Sequence, residues 1–368
     1  MLICLLSVKI NTSNIVREVA ITMKKPTMQM IADSAGVSRI TVWKVLNGRP
    51  GVSPSLHDLI LKTAEELGYP ISRTLRTTST NVTTNTVGTE ENFTISVVVS
   101  RPDSSSFWMN IIHEIAKESV KKNYSLLYTY VPAEISGDYT LPEHLTSQTV
   151  SGMIVLNVYD SKLLSMLNQL SIPKVFLDCN TIFPLDSLKG DLVLLEGKYA
   201  VASITESLIK KGHKNIGFIG DIHYALTNHL RYEGYQAAMH KHNLKIPENV
   251  CFTSSIDPHS YFYRIHSFLE TLPELPDAFI CASDFIANCV FQFLTVNGYR
   301  VPEDIALSGF DNIMEYSEIN ELLTTVNIDT ELLGKRLFYQ LEYRMQKPNS
   351  NYELIYIKPE VIYRKSTN

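Results

Sequence analysis

The fold of the amino-terminal part of this chain is determined by residues 26–69, PTMQMIADSAGVSRITVWKVLNGRPGVSPSLHDLILKTAEELGY. Its apolar residues recur at helical spacing in three runs, which predicts three short helices. Each run follows a hydroxyl residue that suits an N-cap, namely Thr27, Ser38 and Ser53. Gly36 permits a sharp turn after the first helix, and Asn47-Gly48 ends the second. Two helices joined by a short turn and braced by a third form a helix-turn-helix.

The amino-acid sequence of this stretch closely resembles that of the DNA-binding headpiece in the LacI/GalR family of transcriptional regulators. The segments IADSAGVS, VLNG, GVS and ELGY occur in the order that the family shows. The resemblance implies that residues 38–47 form the recognition helix, which lies in the major groove. It implies DNA contacts from Thr27, Ser38, Arg39, Ile40, Thr41, Lys44, Asn47 and Leu75.

Three of these residues match the family's base-reading positions. Arg39 and Lys44 can donate hydrogen bonds to guanine O6 and N7, and Ile40 can contact a thymine methyl group. The alternative is that Ile40 packs within the headpiece and that the two cations contact phosphate alone. The chain departs from the family at Trp43, where a bulky indole replaces the usual phosphate-contacting serine.

The charge of the chain is unevenly distributed. The net charge of the 368 residues is −5, which alone does not suggest a DNA-binding protein. Residues 23–80, however, contain eight Lys/Arg and four Asp/Glu, a balance of +4. Residues 81–368 contain 23 basic and 33 acidic residues, a balance of −10. A cationic headpiece on an anionic body is what phosphate binding at one end requires, although a short segment can also be asymmetric by chance.

Composition also favours an intracellular location. The five cysteines have no CxxC spacing, which predicts buried free thiols in a reducing cytoplasm. No apolar run is long enough for a membrane span, so no membrane partner is expected. MLICLLSV at the start lacks the positive region of a signal peptide. We therefore expect residues 1–22 to be a tail or a misread start, followed by the helix-turn-helix domain over 23–70.

Residues 71–93 are interpreted as a hinge and linker. Arg73-Thr74-Leu75 resembles the family's hinge helix, which implies that Leu75 inserts into the minor groove of the operator. The segment before Arg73 is about three residues shorter than in the family. The Thr/Ser/Asn tract that follows cannot bury enough apolar area to hold structure alone. The sequence therefore predicts a weak hinge helix.

Residues 94–368 alternate between buried strands and amphipathic helices. Strand-like ISVVVS, SGMIVLNV and PKVFLDC are separated by helical stretches, and the alternation repeats beyond residue 200. This pattern predicts an α/β core of two Rossmann-like parallel-sheet subdomains. KKGHKNIGFIG, RYEGYQAAM and SGFDN resemble the LacI-family core, which is similar to periplasmic sugar-binding proteins. The resemblance implies a homodimer and three crossings between subdomains, near residues 185–195, 323–328 and 347–355.

In open α/β sheets, ligands bind beyond the carboxyl ends of the strands. The residues at such positions that coincide with the family's effector positions are Phe107, Trp108, Asp178, Arg231, Ile256, Asp284 and Asp311. Carboxylates and a guanidinium can bind hydroxyls, and an indole can cover the face of a ring, so this set suits a sugar.

Each of these residues also has a structural interpretation. Phe107 and Trp108 can belong to the core, and Asp284 can be a helix N-cap. Arg231 and Asp311 can form an ion pair between the subdomains. Glu196-Gly197 replaces the Asp-Asn that the family usually has before its second subdomain, which cautions against assuming any relative's effector.

Other functional classes are less consistent with the sequence. It contains no GxSxG, HExxH or P-loop motif, so neither an enzyme nor a cofactor or metal site is predicted. A sugar-binding protein or sensor without effective DNA regulation fits the body but not the headpiece. We therefore predict a cytoplasmic DNA-binding transcriptional repressor. It would bind a near-palindromic double-stranded operator as a homodimer and respond to a small molecule, with a sugar favoured.

Overall fold

The computed structural model describes residues 26–46, 51–69, 93–101, 105–147, 149–257 and 260–368. The chain divides into two compact units, one within residues 1–89 and the other within residues 90–368. The predicted tail over 1–22, the hinge residue Leu75 and the cap residue Asn47 lie outside the described residues. No helix of the described part of the chain has the length and apolar character needed to cross a membrane.

The first unit, called the headpiece here, contains the three predicted helices. They are α1 (Met28–Ala35), α2 (Arg39–Leu46) and α3 (Pro54–Glu66). All three helices contribute side chains to a small hydrophobic core, in which Ile31, Val42, Val45 and Ile60 are fully buried. Burial of each such side chain contributes roughly 1.5–3 kcal/mol. This core therefore braces the two helices of the helix-turn-helix against α3.

The ends of these helices follow the cap positions expected from the sequence. Thr27 Oγ1 accepts a hydrogen bond of 3.3 Å from the backbone N–H three residues later. Ser38 Oγ accepts one of 3.1 Å in the same way at the start of α2. Ser53 occupies the N-cap position of α3 but makes no side-chain cap bond. Gly36 has φ 66°, the left-handed conformation that lets the chain turn between α1 and α2.

The second unit, called the core here, alternates between strands and helices from its start. Its strands are β1 (Thr94–Val99), β2 (Ser125–Tyr130), β3 (Gly152–Leu156), β4 (Lys174–Leu177), β5 (Asp191–Leu195), β6 (Ile216–Ile219), β7 (Ala278–Cys281), β8 (Ala306–Ser308), β9 (Thr325–Asn327), β10 (Leu354–Ile357) and β11 (Glu360–Ile362). Its helices are α4 (Ser106–Lys121), α5 (Glu143–Thr146), α6 (Ser161–Gln169), α7 (Lys198–Lys210), α8 (Leu226–Lys241), α9 (Tyr261–Thr271), α10 (Asp284–Val296) and α11 (Thr330–Gln346).

Two parallel sheets organise the core into two subdomains, as predicted. The first sheet has the strand order β10-β5-β4-β3-β1-β2, and every neighbouring pair in it is parallel. The second has the order β6-β7-β8, also parallel. Isolated parallel bridges place Thr324 beside Ser308 and Asn327 beside Asp311, so β9 lies next to β8. An antiparallel pairing of β9 with β11 completes the second subdomain.

Both faces of the first sheet are covered at its inner strands, which explains why β3 and β4 are buried along their whole length. Successive side chains of a strand point to opposite faces. Accordingly, Val97 and Val99 belong to the cluster that includes α4 and α11, whereas Val98 belongs to the cluster that includes α6. The same alternation explains why ISVVVS could be identified as a fully buried strand from its sequence.

The chain crosses between the subdomains three times. It leaves the first sheet after Leu195 and returns between Asn327 and Thr330, because α11 packs against α4. Both crossings lie within a few residues of the predicted positions. The third crossing falls slightly later than the predicted residues 347–355, because β10 still pairs with β5 of the first sheet. This crossing falls between Ile357 and Glu360.

A buried ion pair holds β10 in the first subdomain. Asp191 at the start of β5 is fully buried, and its Oδ1 lies 2.6 Å from Arg344 Nη2 on α11. The same Oδ1 accepts a hydrogen bond of 2.9 Å from the backbone N–H of Glu353, just before β10. One carboxylate therefore joins two strands and a helix.

Candidate DNA-binding and effector sites

The DNA-binding residues predicted in α2 lie away from the headpiece core. Val42 and Val45 are fully buried, whereas Arg39, Ile40 and Lys44 are partly exposed. Their spacing on an α-helix separates the two groups into different faces. An exposed face with two cations and one branched apolar side chain can meet phosphates and base edges.

The start of α2 carries two linked hydroxyl groups. Ser38 Oγ lies 2.8 Å from Thr41 Oγ1 and also accepts from the Thr41 backbone N–H. Trp43 is partly buried and packs against the headpiece core. The indole that replaces the family's serine is therefore used at least in part for packing.

A cavity of about 220 Å³ lies between the two subdomains of the core. Five of the seven predicted effector residues line it, namely Phe107, Trp108, Asp178, Arg231 and Asp311. They come from both subdomains, at the ends of strands or the starts of helices. The geometry is that of a small-molecule site formed by the carboxyl ends of parallel strands.

Asp178 connects the two sides of this cavity. It follows β4 in the first subdomain and has φ 65°. Its Oδ2 accepts from Thr227 Oγ1 at 2.6 Å and from the Tyr159 hydroxyl at 3.1 Å. Its Oδ1 accepts from the backbone N–H groups of Cys179 and Thr227. Burial raises the pKa of Asp178, although these hydrogen bonds oppose the rise. Because Thr227 lies on α8, the carboxylate joins the subdomains.

Arg231 on α8 is nearly fully buried. Its Nη1 donates to the Ala282 carbonyl oxygen at 2.5 Å and to Asn228 Oδ1 at 3.3 Å. Its Nη2 lies 3.5 Å from Asp311 Oδ1, and its Cζ lies 3.6 Å from the centroid of the Phe310 ring. A cation over an aromatic face gains electrostatic stabilisation.

The pairing of Arg231 with Asp311 does not cross the cleft. Asp311 follows β8 and Arg231 lies on α8, so both belong to the second subdomain. The alternative of an ion pair between subdomains is therefore wrong. Burial raises the pKa of Asp311 to about 6, although the charge of Arg231 lowers it.

Phe107 and Trp108 form an aromatic wall at the start of α4. Their ring centroids are 5.1 Å apart in an edge-to-face arrangement. Ser105 caps this helix by accepting a hydrogen bond of 3.1 Å from the Phe107 backbone N–H. The preceding backbone N–H, from Ser106, donates to Glu315 Oε1 at 2.6 Å. Since Glu315 follows β8, this is a second direct contact between the subdomains.

Further residues of the cavity were not predicted from the sequence. Tyr159, Tyr224, Tyr261 and Arg101 also line it. The rings of Tyr159 and Tyr224 meet edge to face at 4.8 Å, and Arg101 Cζ lies 5.8 Å from the Tyr224 ring centroid. Tyr159 follows β3 and Tyr224 follows β6. Both therefore satisfy the rule of strand ends that also selects Phe107 and Trp108.

Two predicted effector residues lie outside the lining of the cavity. Ile256 is buried in the hydrophobic core, and its backbone N–H donates to Asp221 Oδ2 at 2.9 Å. Asp284 is the first residue of α10, whose N-cap is Ser283 rather than Asp284. The Asp284 carboxylate accepts from Thr325 Oγ1 at 2.7 Å, so it holds β9 to the start of α10.

Two family models match this chain. A model described as "Bacterial regulatory proteins, lacI family" matches residues 27–70, which contain the three headpiece helices. A model described as "Periplasmic binding protein-like domain" matches residues 205–367, which span most of the second subdomain and the return through α11 and β10. The two models together therefore match both units of the structure.

Similar proteins align over almost the whole chain. The HTH-type transcriptional repressor PurR of Pasteurella multocida is 28% identical over 345 residues, which cover 92% of this chain and 98% of that protein. The HTH-type transcriptional regulator CelR of Thermobifida fusca is 25% identical over 348 residues, covering 93% and 98%.

Solved structures of similar proteins have the same fold. A complex of the transcriptional regulator CelR with cellobiose has a TM-score of 0.65 at 24% identity, covering 93% of this chain and 99% of that chain. The lac repressor dimer bound to operator and the anti-inducer ONPF has a TM-score of 0.64 at 22% identity, covering 94% and 99%.

Proposed function

Because this chain belongs to the LacI family of bacterial regulatory proteins, we propose that it is a repressor whose operator affinity is set by a ring-bearing, hydroxyl-rich molecule in the core cavity. Membership of the family makes it a DNA-binding transcriptional regulator. A sugar is the ligand class that we propose. The observation that carries the proposal is the cavity itself, which combines an aromatic wall with two carboxylates and two guanidinium groups.

The chemistry of the cavity supports a sugar in two ways. Trp108 and the tyrosines offer flat apolar surfaces to the face of a ring. Arg231 and Asp311 offer a donor and an acceptor for hydroxyl groups. The distance of 3.5 Å between Arg231 Nη2 and Asp311 Oδ1 is long for a hydrogen bond, so both groups can still bind a hydroxyl. A hydroxyl that accepts from one and donates to the other would satisfy both.

The headpiece supports the operator half of the proposal. We propose that α2 enters the major groove with Arg39, Ile40 and Lys44 toward the bases, while Thr27, Ser38 and Thr41 meet the backbone. A homodimer would place two such helices on a near-palindromic operator. Ligand and operator would then be coupled through the subdomain geometry, and the coupling must be reciprocal.

A thermal-shift screen tests the ligand half. The full chain would be heated with D-glucose, D-ribose, cellobiose and adenosine, each at increasing concentration. A ligand at a hundred times its Kd stabilises the folded state by about 2.7 kcal/mol and raises the melting temperature. The sugar proposal predicts that a sugar stabilises the chain and changes its affinity for operator DNA. If adenosine alone stabilises the chain, the proposal that the ligand is a sugar is rejected, whereas the proposal that the cavity is the ligand site is retained.

A further inference from the structure

The position of Arg231 is fixed at two points along its side chain. Its guanidinium lies on the Phe310 ring, with Cζ 3.6 Å from the ring centroid. Its aliphatic part lies against Gly197, just before α7. A Cβ atom built on Gly197 would lie 2.6 Å from Arg231 Cγ and 3.4 Å from Arg231 Nε. Carbon atoms do not approach each other this closely, so Arg231 occupies space that a side chain at position 197 would need.

The backbone conformation at position 197 does not require a glycine. Gly197 has φ −111° and ψ −23°, a conformation open to any residue. The three atoms nearest to a Cβ at this position, Cγ, Nε and Cδ, all belong to Arg231. The only conflict that these distances indicate for a larger residue at 197 is therefore with the arginine.

The guanidinium of Arg231 is only partly used by the protein. Nη1 has two acceptors, whereas Nη2 has the distant Asp311 carboxylate, and Nε is buried without a hydrogen-bond partner among the described residues. Arg231 also lines the cavity. A small displacement of its side chain would therefore change which acceptor group of a ligand it can reach.

We propose that Gly197 is a positioning residue for the effector site. Because Gly197 has no side chain, the guanidinium of Arg231 can lie over the Phe310 ring, where its Nη2 is beside Asp311. A residue with a Cβ moves the guanidinium and changes the affinity for ligand without touching the ligand itself. This inference deepens the proposed function, because its consequence for binding rests on the cavity being the effector site.

The position of Arg231 can be tested without any ligand. The full chain, labelled with ¹⁵N-arginine, is compared as wild type, Gly197→Ala and the control Gly137→Ala, for which a new Cβ has nothing within 4 Å. The Nε–H signal that disappears in Arg231→Lys belongs to Arg231. We expect this signal to keep its shift in Gly137→Ala and to move in Gly197→Ala. A signal that stays in place in Gly197→Ala overturns the inference.

A stability cycle decides the matter even if Gly197→Ala alone folds poorly. In Arg231→Ala the Cγ atom is gone, so the added methyl group has room. We expect Gly197→Ala to lower the melting temperature in the wild-type background and to have little effect in Arg231→Ala. Equal losses in both backgrounds would locate the conflict elsewhere and overturn the inference.

The effect on binding is measured with whichever of D-glucose, D-ribose, cellobiose and adenosine stabilises the wild type. Gly197→Ala should weaken that probe at least tenfold, and Gly137→Ala should bind it like wild type. An unchanged Kd in Gly197→Ala would overturn the positioning role. A wild type that binds none of the four contradicts the proposed ligand instead, while the NMR and stability results still decide whether Gly197 positions Arg231.

Discussion

Asp284 provides a test of the distinction between structural and ligand-contacting carboxylates. It is 2% exposed, and its two oxygens accept from Thr325 Oγ1 at 2.7 Å and from the Ile313 backbone N–H at 2.9 Å. Burial, together with the charge of Asp311, raises its pKa from 3.8 to about 7. The folded protein therefore binds a proton here more tightly than the unfolded chain does.

This difference has a definite sign. Stabilisation by the raised pKa is fully present below the unfolded value and is lost as the pH rises through about 7. One pKa unit corresponds to about 1.36 kcal/mol, so Asp284 should lower stability by roughly 2–3 kcal/mol between pH 5 and pH 8. Asp284→Asn should remove this contribution, while the raised pKa of Asp311 keeps a smaller fall in the same pH range. An asparagine can still accept from the Ile313 N–H and can donate to Thr325 Oγ1, so the variant should fold.

Urea unfolding at pH 5, 6, 7 and 8 measures the effect directly. Wild type and the control Asp186→Asn, which changes an exposed carboxylate, should lose stability together as the pH rises. Asp284→Asn should show a flatter profile and should keep its effector response, because Asp284 lies outside the cavity lining. Parallel profiles for wild type and Asp284→Asn would refute the reasoning about burial.

The headpiece and the cavity give three further predictions. Arg39→Ala and Lys44→Ala should each weaken specific operator binding by about 1–3 kcal/mol in gel-shift titrations, and an unchanged ratio of operator to random-DNA affinity would reject base contact. Asp311→Ala should abolish the effector response with operator binding retained, and Trp108→Ala should weaken ring-bearing ligands most; calorimetric titrations like those of wild type would contradict both. Deleting several residues within 79–87 should leave operator affinity unchanged or raise it, because a shorter tether raises the effective concentration of the second headpiece, and a large loss in a footprinting titration would reject this.

The sequence predicts part of the cavity, because the responsible rule is geometric. Parallel strands end at one edge of a sheet, so Asp178 and Asp311, which follow β4 and β8, come together. Phe107 and Trp108 follow the same rule at the start of the helix after β1. Tyr159 follows β3 and satisfies the same rule, but a tyrosine close to a buried strand is equally typical of a core residue.

The remaining errors concern positions at which sequence pattern does not determine the contacts. Asp284 lies just after β7 and has the right chemistry, but its side chain turns toward β9 instead of the cavity. Only the packing of two distant segments decides between these directions. The late third crossing has a similar cause, because β10 pairs with β5 and the Asp191 carboxylate accepts from the Glu353 backbone N–H, and no local pattern reveals contacts between residues so far apart in the sequence.

Direct hydrogen bonds between the subdomains indicate how a ligand would act together with the protein's own groups. Asp178 with Thr227 and Ser106 with Glu315 join the two sides of the cavity directly. The exposed bond of Ser106 to Glu315 contributes less than a buried hydrogen bond to a charged group, such as that of Thr227 to Asp178, which contributes about 1.5–3 kcal/mol. A ligand that prefers this arrangement a hundredfold adds about 2.7 kcal/mol, which is comparable with one such bond. Protein contacts and ligand therefore stabilise the same geometry with similar strength. A weaker contact between Ser106 and Glu315 should therefore lower effector affinity in proportion to the fall in the population of this geometry, although neither group lines the cavity.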